Sequence, residues 1–285
     1  MAYANEYGSG INLTALMVPV QSATVYAAQE TSLYLPGLLV PIQNVPEGSA
    51  SAQVAVMGNV TATTIVNNGA GGTETDPGVD FPNTLPANTK KTIDMDLIAA
   101  RTVIRDLGGA DFNDFGRILG NAVAKEIDTK VSVALGSLTA QEDIAGLNLL
   151  DELFKAIGSV RAAGETGALH CVVAAEAYAG FMSIIGSSAY AGGETQNAAM
   201  RSGFIGNVAG VPCYVSSYLT DANTTLTNTK FAVFSADAMR MAMQGGVKVE
   251  FERRAAAVGT DIVASAAFGV EVLDATRGII VQDAV

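Results

Sequence analysis

Charged side chains are almost missing from one long stretch of this sequence. Between Thr31 and Thr73, Glu47 is the one charged residue. A surface segment of that length normally carries several charges, because charged residues are mostly exposed. We therefore expect neighbouring copies of the same chain to cover residues 31–73 from water. Three prolines interrupt the first part, where each removes a backbone donor and favours an extended arm over a helix: Pro36, Pro41 and Pro46.

A long β-hairpin is predicted directly after this arm. Residues 52–66 are rich in Val, Thr and Ile, which favour a strand, and a turn-rich tip with Asp76-Pro77-Gly78 follows. A second strand is predicted over residues 89–99, where apolar residues alternate with Asp94 and Asp96. An isolated two-stranded hairpin is marginally stable in water, and an uncharged edge favours pairing with another chain. The hairpin is therefore expected to lie on a neighbouring subunit.

The rest of the chain predicts a mixture of helices and strands. An amphipathic helix is predicted over residues 111–138, with Asp111 as N-cap, Gly136 near its end, and Glu126 spaced to pair with Lys130. The remaining periodicities predict helices over residues 147–164, 176–185 and 236–243, a Gly-rich loop over 186–193, and strands over 169–173, 211–216, 231–234, 247–253, 262–272 and 278–282.

Composition excludes several classes of protein. The 285 residues include 28 acidic and 16 basic side chains, for a formal charge of −12. That balance argues against tight binding of nucleic acid, which requires clustered Lys and Arg. The first ten residues do not resemble a signal peptide, and no apolar stretch is long enough to cross a bilayer. We expect a soluble protein of cytosolic origin with no membrane partner.

No motif for catalysis or cofactor binding is found. The phosphate-binding loop, the dinucleotide fingerprint and the hydrolase nucleophile elbow are all absent. His170 adjoins Cys171, but neighbouring residues of a strand point to opposite faces, so they are not expected to form a nucleophile and base. Cys213 is likewise predicted to be a small core residue, far in sequence from Cys171.

Three carboxylate pairs occur in the sequence. Two-residue spacing in a strand places the first and the last pair each on one face, as glycosidase or metal chemistry could use, although solvated strand faces give the same pattern more often. They are Asp94 with Asp96, Asp151 with Glu152, and Glu250 with Glu252. We predict no catalytic residue, no cofactor-binding residue and no metal site.

Several phrases in the second half of the sequence, taken in order, carry a resemblance to a known family. The first runs from Gly203 to Ser216 and contains the pattern Gly, Ile, Gly, Val-Pro, Val, Ser. It is followed by Phe231-Ala232-Val233-Phe234 with Ala236, Ala238 and Met239, then Val249-Glu250, Asp261-Ile262-Val263, Phe268-Gly269-Val270 and Gly278-Ile279-Ile280-Val281. With the arm, hairpin and long helix before them, these phrases resemble the major capsid proteins of tailed bacteriophages, which share the Hong Kong phage-type fold.

The resemblance implies an α+β fold and a division of nearly the whole chain. Two separate ranges would form the peripheral domain, the first containing the spine helix over 111–138, and two would form the axial domain. The ranges are 1–45 for the N-terminal arm, 46–98 for the extended loop, 99–145 for the peripheral domain, 146–235 for the axial domain, 236–272 for the return to the peripheral domain, and 273–285 for the final axial strand.

The resemblance also implies a function and partners. The chain would be a non-catalytic subunit that forms the hexamers and pentamers of an icosahedral shell around double-stranded DNA, with weak non-specific DNA contacts. It would be located in the virion capsid after assembly in the host cytoplasm. The arm begins almost at once, which implies a separate scaffolding protein, and a portal protein is a further expected partner. Residues 48–73 contain no Lys, so covalent cross-linking through the loop is not expected.

Two other interpretations remain open. An encapsulin-type compartment would use the same fold to enclose an enzyme, and only the contents would distinguish it from a virus shell. An α/β enzyme with an unrecognised carboxylate site would be a small oligomer rather than a megadalton particle.

Overall fold

A computed structural model describes residues 10–57, 88–105, 112–142, 148–185, 206–219, 229–254, 256 and 258–282. The described helices are α1 Gly10–Thr31, α2 Phe112–Leu135, α3 Leu149–Ala162 and α4 Ala175–Ile185, with a short 3₁₀ helix at Ala275–Arg277. The described strands are β1 Ile42–Asn44, β2 Ser51–Met57, β3 Asn88–Asp94, β4 Asp96–Arg105, β5 Thr139–Glu142, β6 Leu169–Ala174, β7 Gly206–Val208, β8 Val211–Ser216, β9 Thr229–Ser235, β10 Met239–Arg254, β11 Gly259–Val272 and β12 Gly278–Gln282. None of these helices is both long and apolar enough to cross a membrane.

The chain divides into two units. Residues 53–92 form one unit, and the rest of the chain forms the other. Within the larger unit the described strands form two sheets, of order β1-β10-β11-β4 and β5-β12-β9-β6-β8-β7.

The four-stranded sheet packs against the amphipathic helix α2, as the apolar periodicity of residues 111–138 predicts. Helix α2 buries Val123, Ile127 and Val131 in the same cluster as Ile262 and Phe268 of β11. Strands β10 and β11 alternate buried and partly exposed side chains along much of their length, so one face of the sheet meets the helix. The predicted i, i+4 partner of Glu126 pairs elsewhere, because Lys130 donates a hydrogen bond to Asp96.

The six-stranded sheet is covered on one face by α3 and α4. Their side chains Leu153, Val160 and Phe181 form a second apolar cluster with Val173 and Phe231 of the sheet. Side chains on the opposite face belong to the cluster around α2, so the cores of the two sheets are continuous within this unit. The predicted strands over 169–173, 211–216, 231–234 and 278–282 and the predicted helices over 147–164 and 176–185 are confirmed, with end shifts of a few residues.

The residues directly after α1 are buried by the chain itself, contrary to the expectation for the uncharged stretch. Tyr34, Leu39 and Val40 are buried in the chain's own core. The predicted absence of helix is confirmed here, because turns lead into β1, which pairs with Met241–Met243 of β10. The prediction that other copies cover the whole stretch is nevertheless wrong for this part. Its low charge reflects burial within one subunit.

A buried carboxylate holds this segment on α2. Ser32 donates a hydrogen bond from its Oγ to Asp128 Oδ1 at 2.5 Å, and the backbone N–H of Leu33 donates to Oδ2 at 3.0 Å. The same Ser32 Oγ accepts from the Leu35 N–H at 3.0 Å. Burial raises the pKa of Asp128, although these hydrogen bonds act in the opposite direction.

Helix α1 is absent from the sequence-based assignment. It includes Pro19, which ordinarily disfavours a helix interior. Packing against α2 offsets this cost, because glycines of α2 allow the two helices to approach closely. A Cβ at Gly116 would lie 2.9 Å from the carbonyl oxygen of Val20, and one at Gly120 would lie 2.4 Å from that of Thr24. Glycine is therefore required at Gly120 by packing.

The predicted hairpin is described in part. Strands β2 and β3 pair with each other, and β2 confirms the start of the strand predicted over 52–66. The remainder of that strand and the predicted tip lie outside the described residues, as does the predicted loop over 186–193. The return strand predicted over 89–99 is two strands, because Met95 interrupts it and donates its N–H to the carbonyl of Ala50 at 3.0 Å.

The helix predicted over residues 236–243 is wrong. A turn in which the Ala238 N–H donates to the carbonyl of Ser235 leads directly into β10. Met239, Met241 and Met243 are buried there. Pairing of β10 with β1 and β11 thus overrides the helix propensity of an Ala- and Met-rich segment.

Candidate assembly surfaces

The structure separates His170 from Cys171, as predicted. The His170 ring packs near Phe234, with ring centroids 6.4 Å apart, whereas Cys171 lies in the apolar cluster under α3 and α4. Burial lowers the pKa of His170, which therefore favours the neutral form. The structure brings Cys171 next to Cys213, a pairing that their spacing in sequence did not indicate.

The three carboxylate pairs lie in different places. Asp94 and Asp96 are exposed on either side of the break between β3 and β4, and Glu250 and Glu252 are exposed on β10. Glu152 is buried at the start of α3, with its Oε2 4.0 Å from Lys230 Nζ. Across the described ranges, no group of three or more His, Cys, Asp or Glu side chains could hold a metal ion. The three pairs therefore lie on different elements of the described structure.

Strand β4 forms one edge of the four-stranded sheet. Its outward side chains include Leu97, which is 74% exposed, and Val103, while Ile98 and Ile104 point into the core. Beside it, a groove of about 500 Å³ is lined by residues 96–100 and by α2 residues including Ala122 and Glu126. An edge strand with exposed apolar side chains is a surface to which another chain can add.

An ion-pair cluster fixes the outward face of the same sheet. The side chain of Asp261 is 5% exposed and accepts hydrogen bonds from Arg101, including one from Nε at 2.8 Å. Arg254 approaches the same carboxylate, with Nη1 3.9 Å from Oδ2. The hydrogen bonds from Arg101 hold the pKa of Asp261 below its usual range. This pairing ties β4 to β11 across the sheet and keeps the edge in register.

The β2–β3 hairpin is the second candidate surface. Gln53 and Ala55 are exposed on β2, and Thr89 and Lys90 are exposed on β3. An isolated two-stranded ribbon is marginally stable in water, so a covering partner would stabilise it. Sequence reasoning identified the hairpin from its composition, but it missed the β4 edge because the predicted strand ended before Arg101.

Comparison of the sequence with protein families and with curated proteins gives no match. Comparison of the fold with solved structures does. The capsid of cyanophage P-SCSP1u is 18% identical, with a TM-score of 0.66 and coverage of 86% of this chain and 86% of that one. The mature capsid of bacteriophage PhiM1 is 15% identical, with a TM-score of 0.61 and coverage of 86% of this chain and 85% of that one.

The chain has the fold of tailed-phage major capsid proteins. This fold is also shared by a virus-like particle from Pyrococcus furiosus, which is 10% identical, with a TM-score of 0.63 and coverage of 93% of this chain and 99% of that one. The predicted α+β fold class and the predicted resemblance are confirmed. Because the coverage extends over most of both chains, the capsid fold accounts for the molecule as a whole rather than for one domain.

Proposed function

We propose that this chain is the major capsid protein of a tailed bacteriophage, forming the hexamers and pentamers of an icosahedral shell around double-stranded DNA. The observation that carries the proposal is the likeness to phage capsid structures over 86% of this chain. The exposed β4 edge and the β2–β3 hairpin support it, because both are surfaces that a lattice of copies would cover.

The proposed division into domains follows the two sheets. The axial domain would contain the six-stranded sheet with α3 and α4, and the peripheral domain would contain the four-stranded sheet with α2. Support comes from β12, which returns from the end of the chain to pair with β9, as a final axial strand would. One adjustment is needed at the boundary near 145, because β5 pairs with β12 in the six-stranded sheet.

The proposed interior surface binds DNA weakly. With a formal charge of −12, the subunit repels phosphates on average, so DNA can move during packaging and release. The subunit would be non-catalytic and located in the virion after assembly in the host cytoplasm. Scaffolding and portal proteins are the further partners we propose.

Expression of the full chain followed by sedimentation velocity and negative-stain imaging tests the proposal. Closed megadalton shells or stable capsomers are expected, whereas a small soluble oligomer would contradict the shell function. Shells purified from the native source, treated with nuclease and then opened, should release protected double-stranded DNA. Release of an enzyme instead would support a compartment shell, the use that the shared fold also permits.

A further inference from the structure

The two cysteines of the chain lie side by side in the six-stranded sheet. Cys171 on β6 and Cys213 on β8 are Cα partners in adjacent parallel strands. Both side chains are fully buried and belong to the same apolar cluster, so they point to the same face. Neighbouring strands are spaced about 4.7–4.9 Å apart, which falls within the Cα separations of roughly 4.4–6.8 Å that a disulfide spans.

The contact between the two thiols shifts their pKa values in opposite directions. The pKa of Cys171 is raised well above its usual range. The largest cause is a hydrogen bond with Cys213, and the next is burial. The same hydrogen bond lowers the pKa of Cys213. These directions favour the thiolate form at Cys213 over Cys171, and the thiolate is the attacking form.

We propose that Cys171 and Cys213 form a redox modification site, which is a dithiol inside a reducing cell and closes to an intramolecular disulfide once the protein is released. The oxidant class is a low-molecular-weight disulfide. Cys213 thiolate attacks one sulfur of that disulfide, forming a mixed disulfide and expelling one thiolate. Cys171 then loses its proton and attacks the Cys213 sulfur, expelling the second thiolate. Two protein thiols are oxidised to one disulfide, and the small disulfide is reduced to two thiols.

The sheet order provides a route for the oxidant. Among the described strands, only β7, which spans Gly206–Val208, lies between β8 and that edge of the sheet. Local opening of a short edge strand ordinarily costs less free energy than global unfolding, so we expect opening at β7 to admit the oxidant to Cys213. Adjacent parallel strands constrain the disulfide geometry, and constrained disulfides are the more easily reduced ones. The pair is therefore expected to respond to its compartment rather than to remain permanently closed.

The step in which the protein leaves the reducing cell for an oxidising exterior rests on the proposed capsid function. Closure would link β6 to β8 around a loop of about 40 residues, which restricts the unfolded chain and stabilises the folded subunit. The stabilisation would apply after assembly and release, when the particle must persist outside the cell.

The test uses the purified full chain, incubated with either oxidised glutathione or dithiothreitol. Each sample is then denatured and labelled with a thiol-specific alkylating reagent. The mass of the intact chain is measured by mass spectrometry to count the labels. The reduced protein should take up two labels. The oxidised protein should take up none, migrate as a monomer on a non-reducing gel and yield one linked peptide containing both cysteines. Its melting temperature should rise by roughly 4–10 °C.

Variants control for the chemistry. The Cys171→Ser variant should stop at a glutathione adduct on Cys213, and the Cys213→Ser variant should react more slowly. In the double variant Cys171→Ala/Cys213→Ala, the melting temperature should be the same in both reagents. Two labels on the oxidised folded wild type would overturn the proposal, as would closure seen only in denatured chains or only between chains. Particle size is measured separately by sedimentation, so failure of the thiol assay and failure of the capsid function are distinguishable.

Discussion

Helices α1 and α2 approach each other closely at Gly120. Replacing this glycine by alanine should therefore destabilise the protein, which is the opposite of its usual effect inside a helix. Gly to Ala in a helix interior ordinarily stabilises by up to about 1 kcal/mol. At Gly120, however, the added Cβ would lie 2.4 Å from the carbonyl oxygen of Thr24, and 3.0 Å from the Cβ of Ala27. The carbonyl belongs to the helix backbone, so relief requires α1 to move as a whole.

Overpacking of this kind costs roughly 1–3 kcal/mol or more, which exceeds the gain in helix propensity. We expect Gly120→Ala to lower the free energy of unfolding by about 1–2 kcal/mol, with a fall in melting temperature of roughly 2–8 °C. Guanidinium and thermal unfolding, both at one fixed protein concentration, measure the change.

Gly158 in α3 provides the matched control. A Cβ there meets no other atom within 4 Å, so Gly158→Ala should raise stability by up to about 1 kcal/mol. Opposite signs for the two variants are the expected result. Equal stabilisation by both substitutions would refute the close packing of α1 on α2.

Three further outcomes are expected. The lowered pKa of Asp261 contributes stability that is lost as pH falls below 3.8 through that pKa, so Arg101→Gln should make the unfolding midpoint less dependent on pH in this acid range, and an unchanged profile would contradict the pairing. The raised pKa of Asp128 has the opposite sign: stability is lost as pH rises above 3.8 through that pKa, so Asp128→Asn should remove this loss in the same titration. Leu97→Lys, at a side chain 74% exposed, should change the unfolding free energy by less than about 0.5 kcal/mol yet reduce the fraction sedimenting as particles; unchanged assembly would exclude β4 as a contact between copies.

The elements that could be predicted are those whose signal is local. Helix α2 has a regular apolar stripe and an N-cap signal, and its interior matches the prediction. Strand β6 is a short apolar run that follows a turn and leads directly into α4, and β8 is a short run with turns on both sides.

The elements that were missed depend on partners distant in sequence. Helix α1 relies on Gly116 and Gly120, whose small size has meaning only once α1 lies against them. Met239–Met243 becomes a strand because β1 and β11 flank it. An uncharged stretch can arise in two ways, since burial within one chain and burial between chains both disfavour charged residues. Tyr34 and Leu39 belong to the first kind.

A cryo-electron microscopy reconstruction of the assembled product shows whether copies of the chain cover these surfaces. We expect an icosahedral shell in which strands β2 and β3 of each subunit are covered by a neighbouring copy and the β4 edge lies in a contact between subunits. A product smaller than a pentamer, or a shell whose β2–β3 hairpin and β4 edge both face solvent, would contradict the proposed function.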